Sequence, residues 1–99
     1  MEEIVLAIDP GRHKAGMAVV SSTRGLLVRC IEPASELAEA ASRIASVHGV
    51  TTIVVGDRTA SADTLLHLRE ATNIPVVTVD EHRSSMEGRE QYLRQNPGK

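Results

Sequence analysis

Ile4-Val5-Leu6-Ala7-Ile8-Asp9-Pro10-Gly11 is the stretch on which the reading of the chain turns. Five consecutive aliphatic residues, three of them β-branched, predict a buried strand. The run ends on a carboxylate, and a turn follows at once. Pro10 fixes its own φ, and Gly11 is expected to supply a positive φ for the reversal. An acid in this position stands at the rim of a sheet on a rigid mount. That is how a metal ligand is best presented. Asp before Pro-Gly is also a common turn residue, so the other acids of the chain have to decide between the two roles.

Working outward, Asp9 to Lys14 makes the first turn, with Arg12, His13 and Lys14 at its tip. Ala15 to Val20 predicts a second strand, antiparallel to the first. Gly16 inside it is expected to mark a close backbone approach. Ser21 to Gly25 turns again, and Leu26 to Ile31 is a third strand. The period then changes. Pro33-Ala34-Ser35 opens a helix in which Leu37, Ala40, Ala41, Ile44 and Val47 share one face. Gly49 stands where helices are most often terminated.

Thr52 to Gly56 is a fourth strand, apolar enough to be buried on both faces in a parallel setting. Thr59 to Ser61 can cap a second helix whose apolar positions are Leu65, Leu66 and Leu68, and Asn73-Ile74-Pro75 ends it. Val76 to Val79 is the fifth strand. Ser84 opens a last helix, with Glu87 at capping-box spacing, and Asn96-Pro97-Gly98 stops it. The order βββαβαβα, with short strand-helix-strand connections, implies right-handed crossovers and a mixed sheet with helices packed on it.

Composition narrows the function classes. With 99 residues the chain is one domain at most, and it holds no Phe, no Trp and one Tyr. The core must therefore be aliphatic, and no aromatic platform exists for stacking single-stranded bases. The net charge of −2 argues against a dedicated basic duplex-binding module. A single cysteine, Cys30, points to a core position and a cytoplasmic setting. With Met1-Glu2-Glu3 leading into the first strand, no signal peptide is expected, and no apolar run in these 99 residues is long enough to span a bilayer.

Three strands end on acids: Asp9 after the first, Asp57 after the fourth, and Asp80-Glu81 after the fifth. If these strands are parallel neighbours, the acids meet at one rim, where open α/β sheets place their sites. Grouped carboxylates repel unless a cation lies between them, and oxygen donors suit Mg²⁺ or Mn²⁺. Two such ions about 4 Å apart can activate water and stabilise the leaving oxygen of a phosphodiester. Arg12, Lys14, Arg58 and Arg83 sit in the same loops, and Arg89, Arg94 and Lys99 follow. A basic collar around a metal-binding centre suits a nucleic-acid backbone. The four histidines have no metal-ligand spacing, and Glu87 is most simply a capping residue.

Three motifs in order carry a family resemblance. Ile4 to Arg12 with Gly16-Met17-Ala18-Val19 resembles the opening of RuvC-like and YqgF/RuvX-like nucleases. Val55-Gly56-Asp57-Arg58-Thr59-Ala60-Ser61 resembles the Gly-(Asn/Asp)-x-Thr-x-Ser segment of the YqgF-like branch. Val79-Asp80-Glu81, with Ser84-Ser85 and Arg89 to Leu93, resembles its Asp-Glu motif and following helix. The resemblance implies a single RNase H-like domain over residues 1–99, an α/β fold with a five-stranded mixed sheet in order 3-2-1-4-5. It implies a metal-dependent nuclease acting on Holliday junctions or on ribosomal RNA precursors. Asp9, Asp57 and Glu81 would be the catalytic metal ligands, Mg²⁺ or Mn²⁺ the cofactor, and Gly11, Arg12, Lys14, Arg58 and Arg83 the substrate contacts.

A junction resolvase further implies a homodimer, because two symmetric strands are cut together. The family pattern continues into another helix with a further Asp, whereas no Asp follows Asp80 here. The domain is therefore expected to lack that last helix. A rival reading is a catalytically inactive module of the same fold that binds nucleic acid or dimerises. Another is a fragment of an actin-like ATPase or sugar kinase, which also opens with Asp-x-Gly after a strand but needs two lobes to close on ATP.

Overall fold

A computed structural model describes residues 2–56 and 62–79 of the chain. Five strands form one sheet: β1 Ile4–Asp9, β2 Lys14–Ser21, β3 Gly25–Pro33, β4 Thr52–Gly56 and β5 Val76–Val79. Their spatial order is β3-β2-β1-β4-β5. The first three make the antiparallel meander, and β1, β4 and β5 are parallel neighbours. This is the mixed sheet that the alternation of strand and helix periods implies.

Two helices cross between the parallel strands, α1 Leu37–His48 and α2 Ala62–Ala71. Both pack on one face of the sheet. Leu37, Ala40, Ala41 and Ala45 of α1 and Leu68 of α2 share a core with Leu6, Ile8, Met17, Val19, Ile53 and Val55. The stripe of α1 is mostly alanine, which lets the helix lie close to the β-branched layer beneath it. Gly49 ends α1 in the left-handed region at φ 66°, as its place in the sequence predicts. The opposite face of the sheet carries Val5, Ala7, Ala18, Val20 and Val54, which are also buried.

Several expected boundaries shift. The first helix does not open at Pro33-Ala34-Ser35: β3 runs on through Pro33, and one 3-10 turn over Ala34–Glu36 precedes α1. Pro33 is tolerated at the end of an edge strand, where its missing N–H breaks no inner ladder. Val47, placed on the buried face by spacing, is exposed, and Ala45 takes the core position instead. In α2 only Leu68 is fully buried; Leu65 is half-buried and Leu66 exposed. The expected caps at Thr59 to Ser61 and the last helix from Ser84 lie outside the described residues. Cys30 is half-buried against the core, close to its expected place.

Candidate active site at the carboxyl edge of the central strands

Parallel pairing decides where the site can be. Ile8 of β1 is level with Val55 of β4, and Gly56 is level with Val79 of β5. Asp9 and the last residues of β4 and β5 therefore stand along one edge of the sheet. Asp9 is the exposed final residue of a strand whose other five residues are all buried. Both neighbours of β1 are hydrogen-bonded to it along its length, so the carboxylate has a stiff mount. Among the described residues, no hydrogen bond or ion pair engages that carboxylate.

The turn that follows is fixed from two directions. The N–H of Ala34 donates to the carbonyl of His13 at 2.9 Å, tying the turn tip to the end of β3. Gly11 is required here, though not for the reason its sequence suggests. Positive φ occurs at Gly25 and Gly49 among the described residues, not at Gly11. Instead, a Cβ on Gly11 would fall inside the van der Waals surface of the Lys14 carbonyl oxygen. Gly11→Ala is accordingly expected to cost about 1–3 kcal/mol, because backbone must move. A thermal melt measures that loss, and nucleic-acid affinity reports whether Arg12 and Lys14 move with the turn.

Gly16 also departs from expectation. It sits directly across from Asp9, yet an added Cβ would meet only the Asp9 Cβ at 3.9 Å, an ordinary contact. No close backbone approach demands glycine there. The bare backbone instead leaves open space beside the carboxylate.

Arg12, His13 and Lys14 are all exposed on the turn next to Asp9, so the structure brings together the expected acid and two of the expected cations. Asp57, Arg58, Glu81 and Arg83 lie outside the described residues. Among the described residues, no three His, Cys, Asp or Glu side chains converge to hold a metal. Asp9 alone of the expected ligand set is placed, and its hard, unpaired oxygens suit a Mg²⁺ or Mn²⁺ ion. Behind the turn, on the helix side, lies a cavity of about 240 Å³ whose lining includes Pro10, Gly11, Ser35, Glu39, Thr64 and His67. Spacing within the sequence gives no sign of it, because its walls come from the β1–β2 turn, the 3-10 turn, α1 and α2.

The strongest charge pairing is at the other end of β1. Arg24 donates to Glu2 at 2.6 Å, and Ser21 and Thr23 also donate to that carboxylate. Arg24 and Ser21, the two leading causes, lower its pKa to about 2. This cluster anchors the start of the meander and takes no part in the candidate site. Among the described residues, no helix is long and apolar enough to cross a membrane.

No protein-family model matches the chain, and no curated protein matches it significantly. Solved structures do. Thermus thermophilus RuvC in complex with a Holliday junction substrate superposes with a TM-score of 0.62 at 16% identity, over 80% of this chain and 65% of that one. A mutant nuclease domain of the large terminase subunit gp2 of bacterial virus Sf6, with manganese and beta-thujaplicinol, gives 0.57 at 18% identity, over 79% and 36%. The Aquifex aeolicus PPX-GPPA enzyme gives 0.53 at 7% identity, over 81% and 36%. The chain thus spans slightly less than two thirds of the RuvC chain. At these identities the likeness establishes the fold, which is RNase H-like with sheet order 3-2-1-4-5.

Proposed function

We propose that this RNase H-like chain is a metal-dependent nuclease of the YqgF/RuvC-like type, hydrolysing phosphodiester bonds in branched DNA or structured RNA. The observation that carries the reading is Asp9. It is an exposed carboxylate with no partner among the described residues, on the central strand of the sheet, at the edge where β4 and β5 also end, beside a cationic turn. Asp57 directly follows the end of β4 in sequence and Glu81 comes two residues after the end of β5, and with Asp9 they would hold Mg²⁺ or Mn²⁺. The bound ions would supply an activated water and charge neutralisation for in-line displacement. The RuvC structure with its Holliday junction and the terminase nuclease domain with manganese support this choice over other chemistries on the same fold. A homodimer is part of the proposal only for a junction substrate.

The chain's own contribution is position and charge. Asp9 is held at a fixed depth by the ladders on both sides of β1. Arg12 and Lys14 face solvent on the braced turn, where they can bind phosphates flanking the reactive one. Arg58 and Arg83 would extend the same collar from the other two loops.

The test is cleavage of labelled four-way junction, linear duplex and structured ribosomal RNA precursor, with Mg²⁺, Mn²⁺ or a chelator. Metal-dependent cutting supports the proposal, and the preferred substrate selects between resolution and RNA processing. Binding without cutting on any substrate would replace it with the inactive-module reading. The turn gives a separate prediction. On duplex DNA, Arg12→Ala with Lys14→Ala is expected to reduce the slope of log affinity against log salt by about two, close to 0.9 per lost phosphate contact. A salt titration of binding checks it, and an unchanged slope removes these residues from the interface.

A further inference from the structure

We propose that Asp9, Gly16 and Ile31 form a seat for one nucleoside, the sugar and base adjoining the phosphate presented to Asp9. The inference rests on the nuclease reading above and deepens it, because it assigns a subsite that binds something other than phosphate. Asp9 pairs with Gly16, and Gly16 pairs with Ile31. Directly paired residues in antiparallel ladders point to the same face. The three therefore form one row across that face: a carboxylate, bare backbone, and an aliphatic side chain.

On β1 and β2 the row is the open end of a buried surface, while on the edge strand β3 the same face also exposes Arg29 and Leu26. One row in, Ala7 and Ala18 are buried, and Val5 and Val20 beyond them are buried as well. At the row itself Asp9 is exposed, and Ile31 is 69% exposed. Leaving an isoleucine in water forgoes its burial energy, and here it does so beside the candidate catalytic acid. The missing Cβ of Gly16 leaves a slot between the two side chains, since a Cβ there would meet nothing nearer than Asp9 at 3.9 Å.

The chemistry across the row is asymmetric, and this selects the occupant. The cationic turn of Arg12 and Lys14 next to Asp9 takes the charged end of a nucleotide. Ile31 has no donor or acceptor to offer a phosphate, but it can pack against the face of a sugar or base. The two ends lie two strand spacings apart, about 10 Å, the reach from a backbone phosphate to a neighbouring base. Glycine between them lets the nucleotide lie flat on the strand backbone. The seat accepts any base, because an aliphatic wall reads no hydrogen-bonding pattern. In a chain without Phe or Trp and with a single Tyr, it supplies apolar contact to the base from an aliphatic side chain.

The test measures binding with chelator present, so that cutting cannot intervene, on a labelled four-way DNA junction and a labelled RNA hairpin. Ile31→Ser and Gly16→Val, which fills the slot, are each expected to weaken binding about fivefold. A scan of abasic positions along the probe is expected to find one site where removing the base weakens the wild type similarly and leaves Ile31→Ser unchanged. A free mononucleotide, tested in parallel, is expected to bind too weakly to measure, because a seat for one unit of a strand borrows affinity from its neighbours. Thermal melts guard against misfolding, and Gly16→Ala is the milder variant if Gly16→Val melts early. Wild-type affinity in folded Ile31→Ser, or an abasic scan with no coupled position, overturns the seat even if the protein cuts. A coupled position in a protein that cuts nothing with any metal keeps the seat and rejects the nuclease reading. No binding to either probe rejects both.

Discussion

Asparagine in place of Asp9 is expected to lower metal-dependent cleavage by at least about a hundredfold while leaving the melting temperature unchanged. The change keeps the shape of the side chain and removes its charge. Among the described residues nothing depends on that charge, because no hydrogen bond or ion pair there uses the carboxylate and the residue is exposed. Exposed substitutions of this kind usually move stability by no more than about 0.5 kcal/mol. Catalysis responds quite differently. Losing a directly coordinating anionic oxygen should cost at least as much as losing one of its supporting contacts, which is typically about 10–100-fold. Single-turnover cleavage at saturating protein isolates the effect from binding, and a chelator control sets the floor. A variant that cuts at the wild-type rate would remove Asp9 from the reaction and with it the main support for the proposed function.

For Leu6→Ala the expected loss is one of stability, about 2–5 kcal/mol. Leu6 has no exposed surface and lies on the central strand, in the core shared by α1, α2 and strands β2, β4 and β5. Truncation there removes transfer energy and leaves a cavity that a tight sheet cannot collapse to fill. Against a typical domain stability of about 5–15 kcal/mol, that loss approaches the whole in the least favourable case. Urea unfolding followed by far-ultraviolet circular dichroism measures it, since the chain has no tryptophan to report on the core. Leu66→Ala is the internal control. Its side chain is 54% exposed, so a cost beyond about 1 kcal/mol would contradict the described packing of α2.

The architecture was legible in the sequence because two different periods were written in it. Apolar runs bounded by turns marked all five strands, and the short crossovers with the family resemblance gave their order. Gly49 announced the end of α1, since the left-handed position it occupies admits few other residues. What escaped was set by neighbours distant in sequence. The need for glycine at position 11 comes from the carbonyl of Lys14, whose approach depends on how the turn closes. Val47 and Leu66 carry hydrophobic side chains at helical spacing, but which flank of a helix meets the sheet is decided by the docking angle. Ile31 looked like any strand residue until the pairing placed it on an edge, in line with Asp9. Of the expected ligands only Asp9 is described, and Asp57 and Glu81 remain proposals resting on the ends of β4 and β5 and on their motifs.

The two ladders on β1 have one further consequence. A strand alternates its faces residue by residue, so a slip of one position in either pairing would exchange the two faces. Ile8 would then leave the layer it shares with the helices, and Asp9 would be pushed into that layer. A chain that made this mistake would forfeit its core and its reactive group together. Correct assembly is thus built into competence: molecules that fail to place the acid are also the ones least able to persist, and quality control acting on stability alone would clear them.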